Sequence, residues 1–332
     1  MTSYAQSVDM TDDLQRIAYC LSAAATFVAD NQISHLIYAN GGELTETVWE
    51  PASGETIKEE EVGSGVKDGA PAAYVWYSNI QGGEEYNVEE DEGFGGEERM
   101  VFSVTPENTF IAFKYDYEED DIWKEYQAGN ISTVTALHPQ SDISAALTPD
   151  GFYLFFMNPS GKLQAIVRRG GEDWTLEGEL PAAAKIGTPL LAEVSQHGII
   201  LFYFGVDDTL HYLRQGQQPG RWEDHRVDNI VVRTPVTRFR ASAVNQDQEG
   251  QDEQNLNIEA YVLTDGRLWQ LSQSNEPIDI GVVDEGILRK NNNAQNIRWI
   301  SRGCRPYYYR VTYVIRYYHY NYYRPRPRGL CW

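Results

Sequence analysis

Cysteine is scarce: Cys20, Cys304 and Cys331 are all there is. Three scattered cysteines make no disulfide framework, and with no CxxC pair they make no zinc site, so buried thiols are the expectation. Long apolar runs are missing too. No stretch approaches the roughly 20 residues that cross a bilayer, so no membrane is expected as a partner. The first residues, MTSYAQSVDMTDDLQR, lack the charged and apolar regions of a signal peptide. A cytoplasmic location is therefore the expectation, with non-classical secretion as the route outward; a chain already relieved of its leader would read the same.

Catalytic signatures are absent as well. The sequence has no GxSxG, no P-loop and no GxGxxG in a nucleotide-binding context, and its six histidines show neither HxH nor HExxH spacing. No cofactor, no metal and no enzyme is expected. Paired carboxylates are the one catalytic arrangement left open, because glycosidase partners come from different strands and 49 acids supply many coincidental pairs. The acidic runs Glu84–Glu85, Glu89–Glu92 and Glu118–Asp121 do not follow the calcium-loop pattern and read as solvated surface.

Acids disappear abruptly. None follows Glu285, whereas 10 of the 27 basic residues do. The preceding body holds 17 basic and 49 acidic residues, a net charge of −32. Such a body repels nucleic acid and anionic membranes. The tail, RPYYYRVTYVIRYYHYNYYRPRPRGLCW, interleaves Arg with nine tyrosines between Tyr307 and Tyr323. Its strand propensity suits a last blade. Its charge suits docking on the acidic surface of another copy, which would make residues 297–332 a homo-oligomer contact. Aromatic and basic interleaving also suits single-stranded nucleic acid, the least expected partner.

Short apolar or alternating runs separated by turn residues dominate the rest, and helical periodicity is limited to a candidate at 12–29 that also reads as a strand. The runs repeat. DISAALTPDGFYLFFMNPSGKLQAIVRRGGEDW (142–174), TPLLAEVSQHGIILFYFGVDDTLHYLRQGQQPGRW (188–222) and a copy at 239–272 are the clearest, with earlier copies at 27–49 and 72–123. Tight turns fall near Gly42, Asn108, Gly161, Asp208 and Gly266. Two acidic insertions, 82–98 and 245–257, lie between the first and second strands of their repeats; without them the period is about 50 residues, the spacing of propeller blades. The expected architecture is all-β, one six-bladed β-propeller of four-stranded blades across 1–332. The sixth blade depends on 287–332, an Arg/Tyr-rich last blade or interaction tail.

The SGK and TDGR turns and the Trp closing each third-strand loop resemble the fungal fucose-specific lectins, typified by the orange-peel mushroom lectin, over roughly residues 15–285. The resemblance implies a six-bladed propeller with sugar pockets between blades. Each pocket takes an Arg at the start of the second strand, a Glu on the third strand and an aromatic from the loop beyond. An Arg–Glu frame matches the donors and acceptors of sugar hydroxyls, and the aromatic covers the C–H face. Here most of the frame is replaced. Its positions hold Met100 and Ala112, Tyr153 and Ala165, Ile200 and Tyr212, and Glu259 and Gln270. Only the first repeat keeps the acid, Glu46, with His35 near the Arg position; Arg99 stands one step from its expected place. The loop aromatics persist as Trp123, Trp174 and Trp222.

The candidate sugar-binding residues are thus His35, Glu46, Arg99, Trp123, Trp174 and Trp222, with glycans or glycoproteins as partners. Two bland readings stand beside them. The tryptophans can wedge between blades, and His35, Glu46 and Arg99 can be ordinary surface residues. The leading expectation is a lectin-like propeller with altered or lost pockets. The alternative is a non-enzymatic, self-assembling propeller that uses its acidic body and basic tail.

Overall fold

The repeats fold as a ring of antiparallel sheets. The computed structural model describes residues 13–28, 33–50, 55–78, 97–117, 121–148, 151–169, 173–195, 198–215, 220–244 and 257–291. Blade 1 contains β1 (Ala25–Val28), β2 (Ser34–Asn40), β3 (Glu43–Glu50) and β4 (Glu55–Ser64). Blade 2 contains β5 (Ala72–Ser78), β6 (Glu97–Val104), β7 (Phe110–Asp116) and β8 (Ile122–Glu125); a single-turn helix, α2 (Ile131–Val134), follows it. Blade 3 contains β9 (Ile143–Thr148), β10 (Gly151–Met157), β11 (Leu163–Arg168) and β12 (Thr175–Glu179). Blade 4 contains β13 (Leu191–Ser195), β14 (Gly198–Phe204), β15 (Thr209–Gln215) and β16 (Trp222–Val231). Blade 5 contains β17 (Val236–Val244), β18 (Asn257–Thr264), β19 (Arg267–Ser272), β20 (Ile278–Asp284) and β21 (Ile287–Lys290).

Each sheet is a meander in sequence order. Its second strand is buried on both faces because blades pack on both sides, so β10 and β14 read GFYLFFM and GIILFYF rather than alternating. The expected turns after the second strands are present. Asn108 and Asp208 take positive φ (58° and 62°), and Asp265–Gly266 does so at both residues (48° and 68°), as a two-residue hairpin turn requires. Both insertions fall between the first and second strands of their blades, β5 and β6, and β17 and β18; residues 79–96 and 245–256 lie outside the described residues.

Two expectations change here. Residues 287–290 do not begin a sixth blade; they pair with β20 as an extra strand of blade 5. Residues 292–332, with Cys304 and Cys331, lie outside the described residues. The N-terminal candidate resolves into a helix, α1 (Asp13–Ser22), followed by the strand β1. The helix bridges blades 5 and 1. Leu14, Ile17, Ala18 and Leu21, at i, i+3, i+4 and i+7, pack on Leu263, Leu268, Ile280 and Leu288. Tyr19 and Cys20 turn the other way, against blade 1, and the rings of Tyr19 and Trp49 are 5.5 Å apart. Gln15 fixes the docking: its amide donates to Gly286 O and its oxygen accepts from Leu288 N, each at 2.8 Å.

Candidate functional site

At the junction of blades 1 and 2, charge is buried at the centre of the packing. Glu46, midway along β3, is fully buried (0% exposed), and its carboxylate is surrounded by donors. His35 Nδ1 on β2 donates to Oε1 at 2.7 Å, and Tyr74 OH on β5 to the same oxygen at 2.9 Å. Arg99 Nη2 on β6 reaches Oε1 at 2.5 Å and Oε2 at 2.6 Å, and Trp123 Nε1 on β8 donates to Oε2 at 3.0 Å. Arg99 Nε donates to Tyr74 OH at 2.8 Å. Four of the six sequence candidates, His35, Glu46, Arg99 and Trp123, therefore meet in one network.

Register explains how Arg99 arrives there. It stands opposite Trp76 on β5, one residue before Met100. A one-residue step in a strand moves a side chain to the other face. Met100 packs toward blade 3, while Arg99 points back to blade 1 and Glu46. The guanidinium is caged by aromatic rings, with its carbon 4.2 Å from the Tyr115 centroid and 5.1 Å from those of Trp76 and Trp123. These contacts are cation–π interactions.

Protonation follows from this geometry. Burial alone would raise the Glu46 carboxyl, but the hydrogen bond from His35 and the charge of Arg99 outweigh it and hold it well below the usual carboxylate range. Glu60, opposite Glu46 on β4, moves the other way. Burial and the neighbouring Glu46 carboxylate raise it, against the opposing pull of Lys58, whose Nζ lies 2.6 Å from Oε2. Lys58 also donates to Tyr115 OH at 3.1 Å. Among the described residues, Arg99 Nη1 and His35 Nε2 have no hydrogen-bond partner.

Trp174 and Trp222 lie elsewhere, packed between blades and removed from solvent. Trp174, 2% exposed, sits against Phe102 of blade 2 and Phe152 of blade 3. Trp222, 8% exposed, stands edge-on to Phe155. Both indole N–H groups are buried without a partner. The acid that Trp123 finds in Glu46 is Ala112 beside Trp174 and Ala165 beside Trp222.

Tyr74, Trp76, Tyr115, Lys58 and Glu60 escaped the sequence reading. The alternation in AAYVWYS places Tyr74 and Trp76 on one face of β5 and could have flagged them. Nothing in KEEEV distinguishes Glu60 from its neighbours.

No protein-family model matches the chain, and no curated protein does. Solved structures do. AofleA from Arthrobotrys oligospora superposes with a TM-score of 0.54 at 13% identity over 78% of this chain and 70% of that one. The Aleuria aurantia lectin, a six-bladed β-propeller with a described fucose recognition mode, gives 0.53 at 16% identity over 77% and 76%. The same lectin in complex with Fucα1-6GlcNAc gives 0.54 at 15% identity over 77% of each chain. The chain has the β-propeller fold of these fungal fucose-specific lectins.

Proposed function

We propose that the protein is a lectin-like propeller that binds glycans noncovalently at the junction of blades 1 and 2. The observation that supports this reading is the buried Glu46–Arg99 pair. An ion pair in a protein interior recovers its desolvation penalty poorly, and apolar replacements are often neutral or stabilising. The next two junctions carry such replacements, with Ala112 and Ala165 at the acid's position. Retaining a fully buried acid and its guanidinium partner at this junction favours a binding role there.

The roles divide between residues. Glu46, with five donor contacts, orients Arg99 and the Trp123 indole. The unpaired edge of Arg99 and the free nitrogen of His35 meet ligand hydroxyls, while Trp76 and Tyr115 cover a sugar's C–H face. This reading is of binding without turnover, so aryl glycosides should remain intact. The neighbouring lectins' ligands make fucosides the first probes.

A glycan array followed by fluorescence titration tests the reading. Glycan binding should quench or shift Trp emission, and Arg99→Ala should weaken it at least about tenfold, the scale of losing a charged hydrogen bond. An array without a single bound glycan, together with flat fluorescence, overturns it.

A further inference from the structure

The first strands of the five blades meet around the axis of the ring and enclose a cavity there. β1, β5, β9 and β13 each bring an alanine to its wall, Ala25, Ala73, Ala145 and Ala192. Side chains this small cannot fill the space where the blades converge, and a volume of about 140 Å³ results. A cavity of that order takes a molecule of about six heavy atoms, the size of benzene. It adjoins a wider recess of about 460 Å³ between blades 5 and 1. Leu21, Ala23, Ala24 and Arg238 line both, which gives a route inward.

The strand β17 contributes charge instead of alanine. Arg238 and Arg240, two residues apart and so on one face of the strand, both line the cavity. Arg238 Nη1 crosses to Asp142 Oδ1 at the head of blade 3, at 2.7 Å, and Oδ2 of that carboxylate accepts from Leu190 N at 2.8 Å. That cation is neutralised. Arg240 is half-buried and, among the described residues, has neither a hydrogen bond nor an ion pair. Glu193, the acid on the same wall, is itself engaged. Other partly buried arginines of this acid-rich chain, Arg99, Arg169, Arg238 and Arg267, each hold a carboxylate. The axial cavity thus combines apolar walls with one uncompensated positive charge.

We infer that the axial cavity is a binding site for a small monocarboxylate with a short hydrocarbon body. The carboxylate lies between Arg240 and the free edge of the Arg238 fork, where hydrogen bonds are charge-assisted. The hydrocarbon packs on the alanines and on Leu191 and Phe239. One negative charge completes the balance, because Asp142 already answers Arg238; a phosphate dianion exceeds it. Of the Glu46 network only Tyr74 reaches this wall, and the inference stands apart from the proposed function.

Equilibrium dialysis of the full chain against radiolabelled acetate and butyrate, at pH 7 and fixed ionic strength, tests it; butan-1-ol and inorganic phosphate are the controls. One equivalent of butyrate per chain is expected, held about fifteenfold tighter than acetate, the gain from burying two more methylenes. Arg240→Met keeps the length and removes the charge, and should weaken butyrate at least about tenfold. Arg240→Lys should restore part of that loss. Butyrate affinity unchanged in Arg240→Met overturns the inference, and so does butan-1-ol bound as tightly as butyrate. Phosphate bound in place of the carboxylates overturns the ligand class, and no retention of any probe overturns the site. Melting curves show whether the variants fold, and the comparison of butyrate with butan-1-ol decides the matter in the wild type alone.

Discussion

The junction between blades 1 and 2 and the junctions that follow it solve one packing problem in two ways. This junction and the next two present a Trp from the start of the fourth strand region to the third strand of the preceding blade. At the first, Trp123 donates to Glu46, which brings Arg99, His35 and Tyr74 into a charged core. At the next two, alanine stands where the acid would be, and the Trp174 and Trp222 N–H groups are stranded among apolar side chains. The difference shows that the wedge and the polar frame are separable. The ring needs the indole's bulk, not its hydrogen bond.

Breaking the charged junction should produce the largest effect. Arg99→Met leaves Glu46 buried without its cation and should cost about 3–5 kcal/mol, measured by urea unfolding. Adding Glu46→Leu should return much of that loss, because two apolar partners again fill the space. A double variant no more stable than Arg99→Met would show that the pair's shape, and not its charge, holds the junction. Loosening the ring closure comes next. Leu14→Ala on α1 should cost about 2–5 kcal/mol, and a value near zero would mean that the helix is dispensable for closure.

The tryptophans sharpen the comparison directly. Trp123→Phe should cost about 1–3 kcal/mol through the acceptor it abandons, whereas Trp174→Phe loses no bond and should cost less. Equal costs in matched unfolding experiments would refute the distinction. The smallest expected effect is in pH. Glu46 is depressed in the folded state, so its stabilisation is complete above the ordinary glutamate value, about 4.3, and is lost as pH falls below it. Glu60 is raised, so its ionisation works against the fold as pH climbs above that value. Glu46→Gln should flatten the acid limb of a melting-temperature profile, and an unchanged limb would remove Glu46 from the account.

Some of this was legible in the chain. The repeat, the positions of the five turns and the common strand junction of both insertions follow from periodicity and turn chemistry, which are local. The fourth strands did not follow. β4 (ETIKEEEVGS) and β16 lie at the outer edges, largely exposed, and carry no continuous apolar run to announce them. Four site candidates could be named by resemblance, but a list of residues does not say that they touch.

By itself the sequence determined a ring of short, doubly buried strands, because aromatic and branched runs between Gly- and Asp-rich turns have few other ways to hide. It also determined that acids and cations are segregated along the chain. The tertiary structure alone decided which face each residue serves. Arg99 turns back to Glu46 because it stands opposite Trp76, on the face of β6 away from the one Met100 serves. Glu177 turns inward because a bulge shifts β12. The helix α1 bridges blades 5 and 1 because its apolar stripe matches the face of blade 5. Register, bulge and docking depend on partners far away in sequence, so no local pattern could have fixed them.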